Sequence, residues 1–236
     1  MTAYKFLAAG GTGRFSDFRW PAPRDDGPGE WVEASGPLED CRRGVHACAP
    51  EHLLDWIDDE LWAIELAGDV TEGESMLVAE RGRLVERVEA WDGEAAQAFA
   101  DACAWRARDL AIAALRRVRL TEAAADLVAS VELRRMQETA VRAHAQADGS
   151  VGELSGFAAD AVALAEGKRP EMWDAEAPRT GTPPTRGAIA ANVGFVVAHA
   201  AGRGAVAETG REEAYADGFA AERARQLAWL RDRCGI

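Results

Sequence analysis

Over the first ninety or so positions, apolar and aromatic residues recur in short runs, several alternating with polar neighbours. The runs Tyr4 to Ala8, Trp31 to Ala34, Leu61 to Leu66, Ser75 to Ala79 and Leu84 to Trp91 carry aromatic or β-branched side chains, a period-two pattern that predicts strands. Gly and Pro clusters separate the runs, notably Pro21 to Gly29, and predict turns and loops. One helix interrupts them. Pro50 occupies a permitted first-turn position, and Leu53, Leu54, Trp56 and Ile57 gather largely on one side.

At Asp92 the composition shifts to Ala, Glu, Arg and Leu, which favour helix. Asp92 can cap a helix reaching about Val118, and Thr121 can start another reaching about Gln146. Asp148-Gly149-Ser150 breaks the pattern, and a further helix is expected from Val151 to Glu166. The stretch Lys168 to Arg186 holds Pro170, Pro178, Pro183 and Pro184 and reads as a long loop. The apolar run Ala188 to Ala201 is interrupted by Asn192 and Gly194 and is shorter than the ~20 residues that span a bilayer, so a buried helix is expected. In the last helix Tyr215, Phe219, Gln226, Leu227, Leu230 and Cys234 recur at near-helical spacing, with Glu222, Arg223, Arg225 and Arg231 assigned to polar faces. The expected fold is α+β. A small β-rich unit over residues 1–91 packs on a helical bundle over residues 92–236, whose Pro-rich loop spans 168–186.

Charge narrows the list of partners. With 40 acidic against 27 basic side chains, the net charge of −13 repels phosphate backbones and anionic lipid, so neither nucleic acid nor membrane is an expected partner. The basic run Arg116-Arg117-Val118-Arg119 reads as a solvated helix face. Four cysteines, Cys41, Cys48, Cys103 and Cys234, are too few and too unevenly spaced for a disulfide scaffold. The start, Met1 to Leu7, lacks the charged and apolar regions of a signal peptide. A soluble cytoplasmic protein of bacterial type is expected.

Reactive side chains crowd together in one place, Cys41-Arg42-Arg43-Gly44-Val45-His46-Ala47-Cys48. Cys41, His46 and Cys48 are all suitable zinc ligands, with His52 or Cys103 to complete the set, although their spacing departs from the common structural zinc patterns. Alternatively His46 and Cys48 form a catalytic thiol site, its pKa lowered by the neighbouring arginines. A third reading makes the cysteines small buried hydrophobes and His46 a satisfied core or turn residue. The glycine turn Ala9-Gly10-Gly11-Thr12-Gly13 follows a strand, but Ser16 stands where a dinucleotide-binding turn has its third glycine and no helix follows, so it reads as a plain loop. Trp20, Trp31, Trp56, Trp62 and Trp91 read mainly as core, with a pocket for a flat ligand as the alternative. His199 reads as a core histidine and His144 as a surface one.

Tyr4-Lys5-Phe6, then Cys41 to Cys48, then Glu60-Leu61-Trp62-Ala63-Ile64-Glu65-Leu66-Ala67-Gly68-Asp69-Val70, resemble a group of uncharacterised phage and bacterial proteins with a G-x-H-A-C core. The likeness covers about the first ninety residues. The same order of elements is loosely similar to the NAD-binding core of ADP-ribosyltransferases. That second resemblance implies a nicotinamide pocket near the strand carrying His46 and puts Glu86 and Glu89 on the kind of late strand that carries such an enzyme's catalytic glutamate.

The reading that follows is a binding or accessory protein with its site on the N-terminal unit around Cys41 to Cys48. An ADP-ribosyltransferase-like enzyme and a zinc-binding protein stand as alternatives, so enzymatic activity stays open and no cofactor is assigned. The partner is a small molecule or a protein, and the alanine-rich helical part offers a face for homo-oligomerisation. A zinc site at Cys41, His46 and Cys48 predicts about one metal ion per purified chain, lost in His46→Ala. Atomic absorption reads both, and metal-free protein of unchanged stability would end that reading.

Overall fold

In a computed structural model the chain is described for residues 3–25, 27–39, 42–168 and 183–236. Strands β1 (Ala3–Leu7), β2 (Val32–Glu33) and β3 (Val45–Ala47) are followed by a short 3-10 helix (Pro50–Trp56) and two long strands, β4 (Glu60–Glu72) and β5 (Leu77–Arg87). All pairings are antiparallel: β1 lies on one side of β4, β5 on the other, and the far edge of β5 takes β3 at Leu77 to Ala79 and β2 at Arg81 and Gly82. The sheet then curls until its ends meet. Tyr4 and Cys48 exchange both backbone hydrogen bonds, each at 2.8 Å, so β3 touches β1 as well as β5.

The alternation of side chains sends Ala3 and Leu7, Val45 and Ala47, Ile64, Leu77, Ala79 and Leu84 into one apolar cluster, which Trp20 joins. The opposite face is buried too, with Tyr4, Phe6, Cys48 and Leu61 all shielded and Phe6 edge-on to Trp91 at 5.8 Å. Strands buried on both faces lose clean alternation. Ser75 to Ala79 and Leu84 to Trp91, expected as separate strands, fall largely in one strand, β5, which is buried on both faces only at Leu77 to Ala79 and which Gly82 does not break. A side chain at Gly82 would strike Val45 Cγ1 at 2.6 Å, so this glycine lets β5 and the strand beside it approach. Gly44, at φ +137°, has no room for a Cβ against Val78 and is the residue that lets the chain enter β3.

Among the described residues six helices follow: α1 (Gly93–Arg117), α2 (Thr121–Val128), α3 (Leu133–Gln146), α4 (Gly149–Ala165), α5 (Arg186–Thr209) and α6 (Ala214–Cys234). Asp92 caps α1 as expected, its Oδ1 accepting from the Ala95 amide at 2.8 Å. The single helix expected from Thr121 to Gln146 is instead two. Ser130, buried between them, donates its hydroxyl to the Asp126 carbonyl at 3.0 Å and its amide to the Leu127 carbonyl at 3.2 Å, a tighter final turn at which α2 ends. Residues 169–182 of the Pro-rich stretch lie outside the described residues. The apolar helix is longer than the run Ala188 to Ala201 suggested. At 24 residues α5 is long and apolar enough to cross a membrane, and 56% of its most apolar window is buried inside the protein, as in a core helix.

The class is α+β. The chain divides into two compact units, one of Met1–Ala96, Thr185–Ala191 and Trp229–Ile236, the other of Gln97–Pro184 and Asn192–Ala228. Within the second unit α5 and α6 approach closely, and a Cβ on Gly218 would lie 2.7 Å from Ala205 Cβ and 2.8 Å from the Ala201 carbonyl oxygen. At Gly204 a Cβ would meet only Leu110 and Leu154 methyls, at 3.8 and 4.0 Å. Chemical denaturation should therefore show Gly218→Ala losing about 1–3 kcal/mol through overpacking. Gly204→Ala should lose nothing, and gain up to about 1 kcal/mol from helix propensity.

Candidate functional site

The Cys41 to Cys48 segment is described from Arg42 onward, so Cys41 lies outside the described residues. Arg42 and Arg43 both turn to Glu39, at 3.2 and 3.4 Å. Since Val45 and Ala47 enter the apolar cluster, strand alternation puts His46 and Cys48 on the opposite face. Cys48 is buried, and burial pushes its thiol up to about 12 against the pull of Lys5. The thiol is therefore protonated at neutral pH, whereas a nucleophilic or metal-binding cysteine acts as thiolate. His52 pairs with Asp55 at 3.6 Å, and Cys103 is buried in α1 of the helical unit, its thiol also pushed up to about 12 by burial. Among the described residues no group of three or more His, Cys, Asp or Glu is placed to hold a metal ion.

Lys5 is the residue that gives this region its unusual electrostatics. It lies between Ala3 and Leu7 on the face of the apolar cluster, its Nζ 4.8 Å from the Trp20 ring centre. Counting along the antiparallel β1–β3 contact from Tyr4 and Cys48 brings Phe6 opposite His46, where the next pair of backbone bonds would form. There the Lys5 amine donates to the His46 carbonyl, at 2.5 Å. Burial lowers the Lys5 pKa to about 8, while Cys48 acts in the opposite direction.

The glycine turn is occupied by the protein itself. Its amides at Ala9 and Gly10 donate to Asp59 Oδ2 at 3.3 Å and Glu60 Oε1 at 3.0 Å, and the chain continues as a small hairpin through bridges Ala8 to Thr12 and Thr12 to Arg19. Beside it Asp58 is buried, which raises its pKa, with Arg14 at 4.0 Å. Trp20 and Trp91 are buried, and the indole N–H groups of Trp56, Trp62 and Trp91 donate to Ser75 O, Glu60 Oε2 and Asp58 O at 2.8, 3.1 and 2.9 Å. His46 faces Val78 and Glu86 faces Ala63, so the two stand eight residues apart in register along β5, roughly 26 Å at the usual rise per residue. Glu86 and Glu89 are exposed, and His46 does not converge with Glu86.

A concave site lies elsewhere, inside the helical unit. A cleft of about 260 Å³ opens among α1, α4, α5 and α6, its walls formed by residues such as Leu110, Ala114, Leu154 and Gly204. Arg106, Arg117 and Arg225 line it together with Glu222. The Glu222 side chain is only 1% exposed, a correction to its expected place on a polar face. Its Oε2 accepts from Arg106 Nε at 3.0 Å and its Oε1 from Arg225 Nη2 at 2.6 Å, while Gln226 Nε2 donates to the same Oε1 at 3.2 Å and to Gly194 O at 2.9 Å. The hydrogen bond to Glu222 holds the Arg225 pKa above its ordinary value. Arg106 and Arg225 are 116 and three residues from Glu222, and only the nearer pair carries a local signal. The burial of Glu222 could have been suspected from its spacing of four to Gln226 and eight to Leu230, both fully buried. His199 bonds through Nδ1 to the Tyr215 hydroxyl, burial lowering its pKa with help from Arg203, and the exposed His144 contacts the Gly152 carbonyl at 2.7 Å.

No family model matches the chain, and neither a curated protein nor a solved structure does. Lys5 yields a test of the sheet's electrostatics. Between pH 8 and its usual 10.5 the unfolded chain retains a proton that the folded protein has released, so the Lys5 contribution to stability rises across that window. The Cys48 thiol works in the opposite direction above its usual 9.0, so the comparison must be with Lys5→Met, which keeps Cys48. Urea denaturation at pH 7 and pH 10 should show the wild type gaining on Lys5→Met by on the order of 2 kcal/mol.

Proposed function

We propose that this chain is a binding or accessory protein that holds a small molecule in the cleft of its helical unit. The observation that carries the reading is the cleft itself. It joins an apolar wall to guanidinium groups whose inner edges are fixed by the buried Glu222, the combination of concave apolar surface and few oriented polar groups that small-molecule sites use. Holding those side chains before a ligand arrives reduces the ordering cost of binding.

In the N-terminal unit, by contrast, the candidate reactive groups serve structure. Cys48 is a buried thiol at the bridge between β3 and β1, Lys5 donates to the His46 carbonyl of β3, and the glycine-turn amides are occupied by carboxylates. This favours placing the ligand in the helical unit over the Cys41 to Cys48 segment.

Methyl-labelled protein titrated with neutral indole in the millimolar range should show shifts at Leu110 and Leu154, removed by Gly204→Leu. NAD at similar concentrations should leave the melting temperature unchanged. An absence of shifts at these leucines, combined with His46-dependent binding or consumption of NAD, would move the function to the N-terminal unit and to the transferase-like reading.

A further inference from the structure

The charge lining the cleft is opposite to the charge of the protein. The chain carries a net −13, yet among the described residues three arginines face two glutamates, Glu208 and Glu222, in the lining of the cleft, a balance of one positive charge. Arg117 is held only loosely, 4.0 Å from a Glu208 that is 71% exposed, where solvent screens the pair. Glu222 engages Arg106 through Nε alone. Among the described residues no protein atom accepts a hydrogen bond from either Nη of Arg106, so the outer edge of that guanidinium is available. Beneath these groups the wall is Leu, Ala and Gly, without a polar side chain to reward a polar ligand body.

We infer that the cleft selects a compact amphipathic monoanion, a carboxylate on a short aliphatic or aryl body. This rests on the cleft being the binding site, and it adds the class of ligand. A guanidinium edge matches a carboxylate in two parallel hydrogen bonds, and one negative charge balances the net charge of the lining. The apolar body displaces water from the alanine and leucine wall, contributing in proportion to the area covered. About 260 Å³ limits that body to a small one, well below a drug-sized ligand. The buried carboxylate of Glu222 holds Arg106 and Arg225 and also keeps the site from binding multiply charged anions strongly, since it halves the charge of that pair.

The test uses octanoate and octanamide, which share a chain and differ in charge, measured by calorimetry on the full chain at low salt. Octanoate should bind at least about tenfold more tightly than the amide. Arg117→Gln should remove most of that preference. This variant spares the clamp, whereas loss of Arg106 would strand a buried carboxylate and endanger the fold. Gly204→Leu, checked for native circular dichroism, should abolish binding of both compounds by filling the cleft. Equal affinity for acid and amide, lost together in Gly204→Leu, overturns the anion inference and leaves the cleft as a site. Binding of neither, with indole also giving no shifts, overturns both. An acid preference that survives Gly204→Leu places the anion elsewhere and also overturns the inference.

Discussion

Two backbone hydrogen bonds between Tyr4 and Cys48 close the sheet on itself, and the arrangement of the N-terminal unit follows from that closure. Bringing β3 against β1 as well as β5 encloses the apolar cluster around Ile64 and Leu84 on one face, while on the other Phe6 and Leu61 are buried and Trp91 packs edge-on to Phe6. Beside this closure the Lys5 amine donates to the His46 carbonyl. A cation in that position is expensive unless it is bonded, which is why its pKa falls while the amine keeps both a carbonyl and an indole face as partners.

The helical unit solves a similar problem with opposite sign. A carboxylate as buried as Glu222 carries a desolvation penalty that only saturated hydrogen bonding offsets, and Arg106, Arg225 and Gln226 together provide it. Replacing this cluster with packed hydrocarbon is often neutral or stabilising in proteins. At the edge of the cleft this buried carboxylate fixes where Arg106 and Arg225 stand. Small residues do the complementary work: Gly218 lets α5 and α6 approach closely, and Gly204 leaves open the volume that a larger residue would fill.

The α+β class, the strand β1 and the start of α1 were legible because their signals are local: alternation in one case, a capping aspartate at a change of composition in the other. Boundaries failed where two local rules compete. The runs Ser75 to Ala79 and Leu84 to Trp91 look like two strands, yet Gly82 between them sits inside β5, where its missing Cβ makes room for Val45. What looked like one helix is two, and at the break the Ser130 amide has left the i−4 ladder for the Leu127 carbonyl. The crowding of Cys41, His46 and Cys48 was visible in the chain, but proximity along a strand says nothing of whether a thiol is exposed or ionised. Burial decides that, and for Cys48 it favours the neutral thiol.

By itself, then, the sequence determined the α+β class, the strand β1, the start of α1 and the acidic balance of the whole, since these depend on composition or on neighbours within a few residues. The tertiary structure alone decided the partners of charged side chains. Lys5 and His46 are 41 residues apart, Gly10 and Glu60 are 50, and Arg106 and Glu222 are 116. A charge written in the chain is solvated or buried according to packing that brings such distant residues together, and only that packing turned Glu222 from a polar-face residue into the anchor of a cleft.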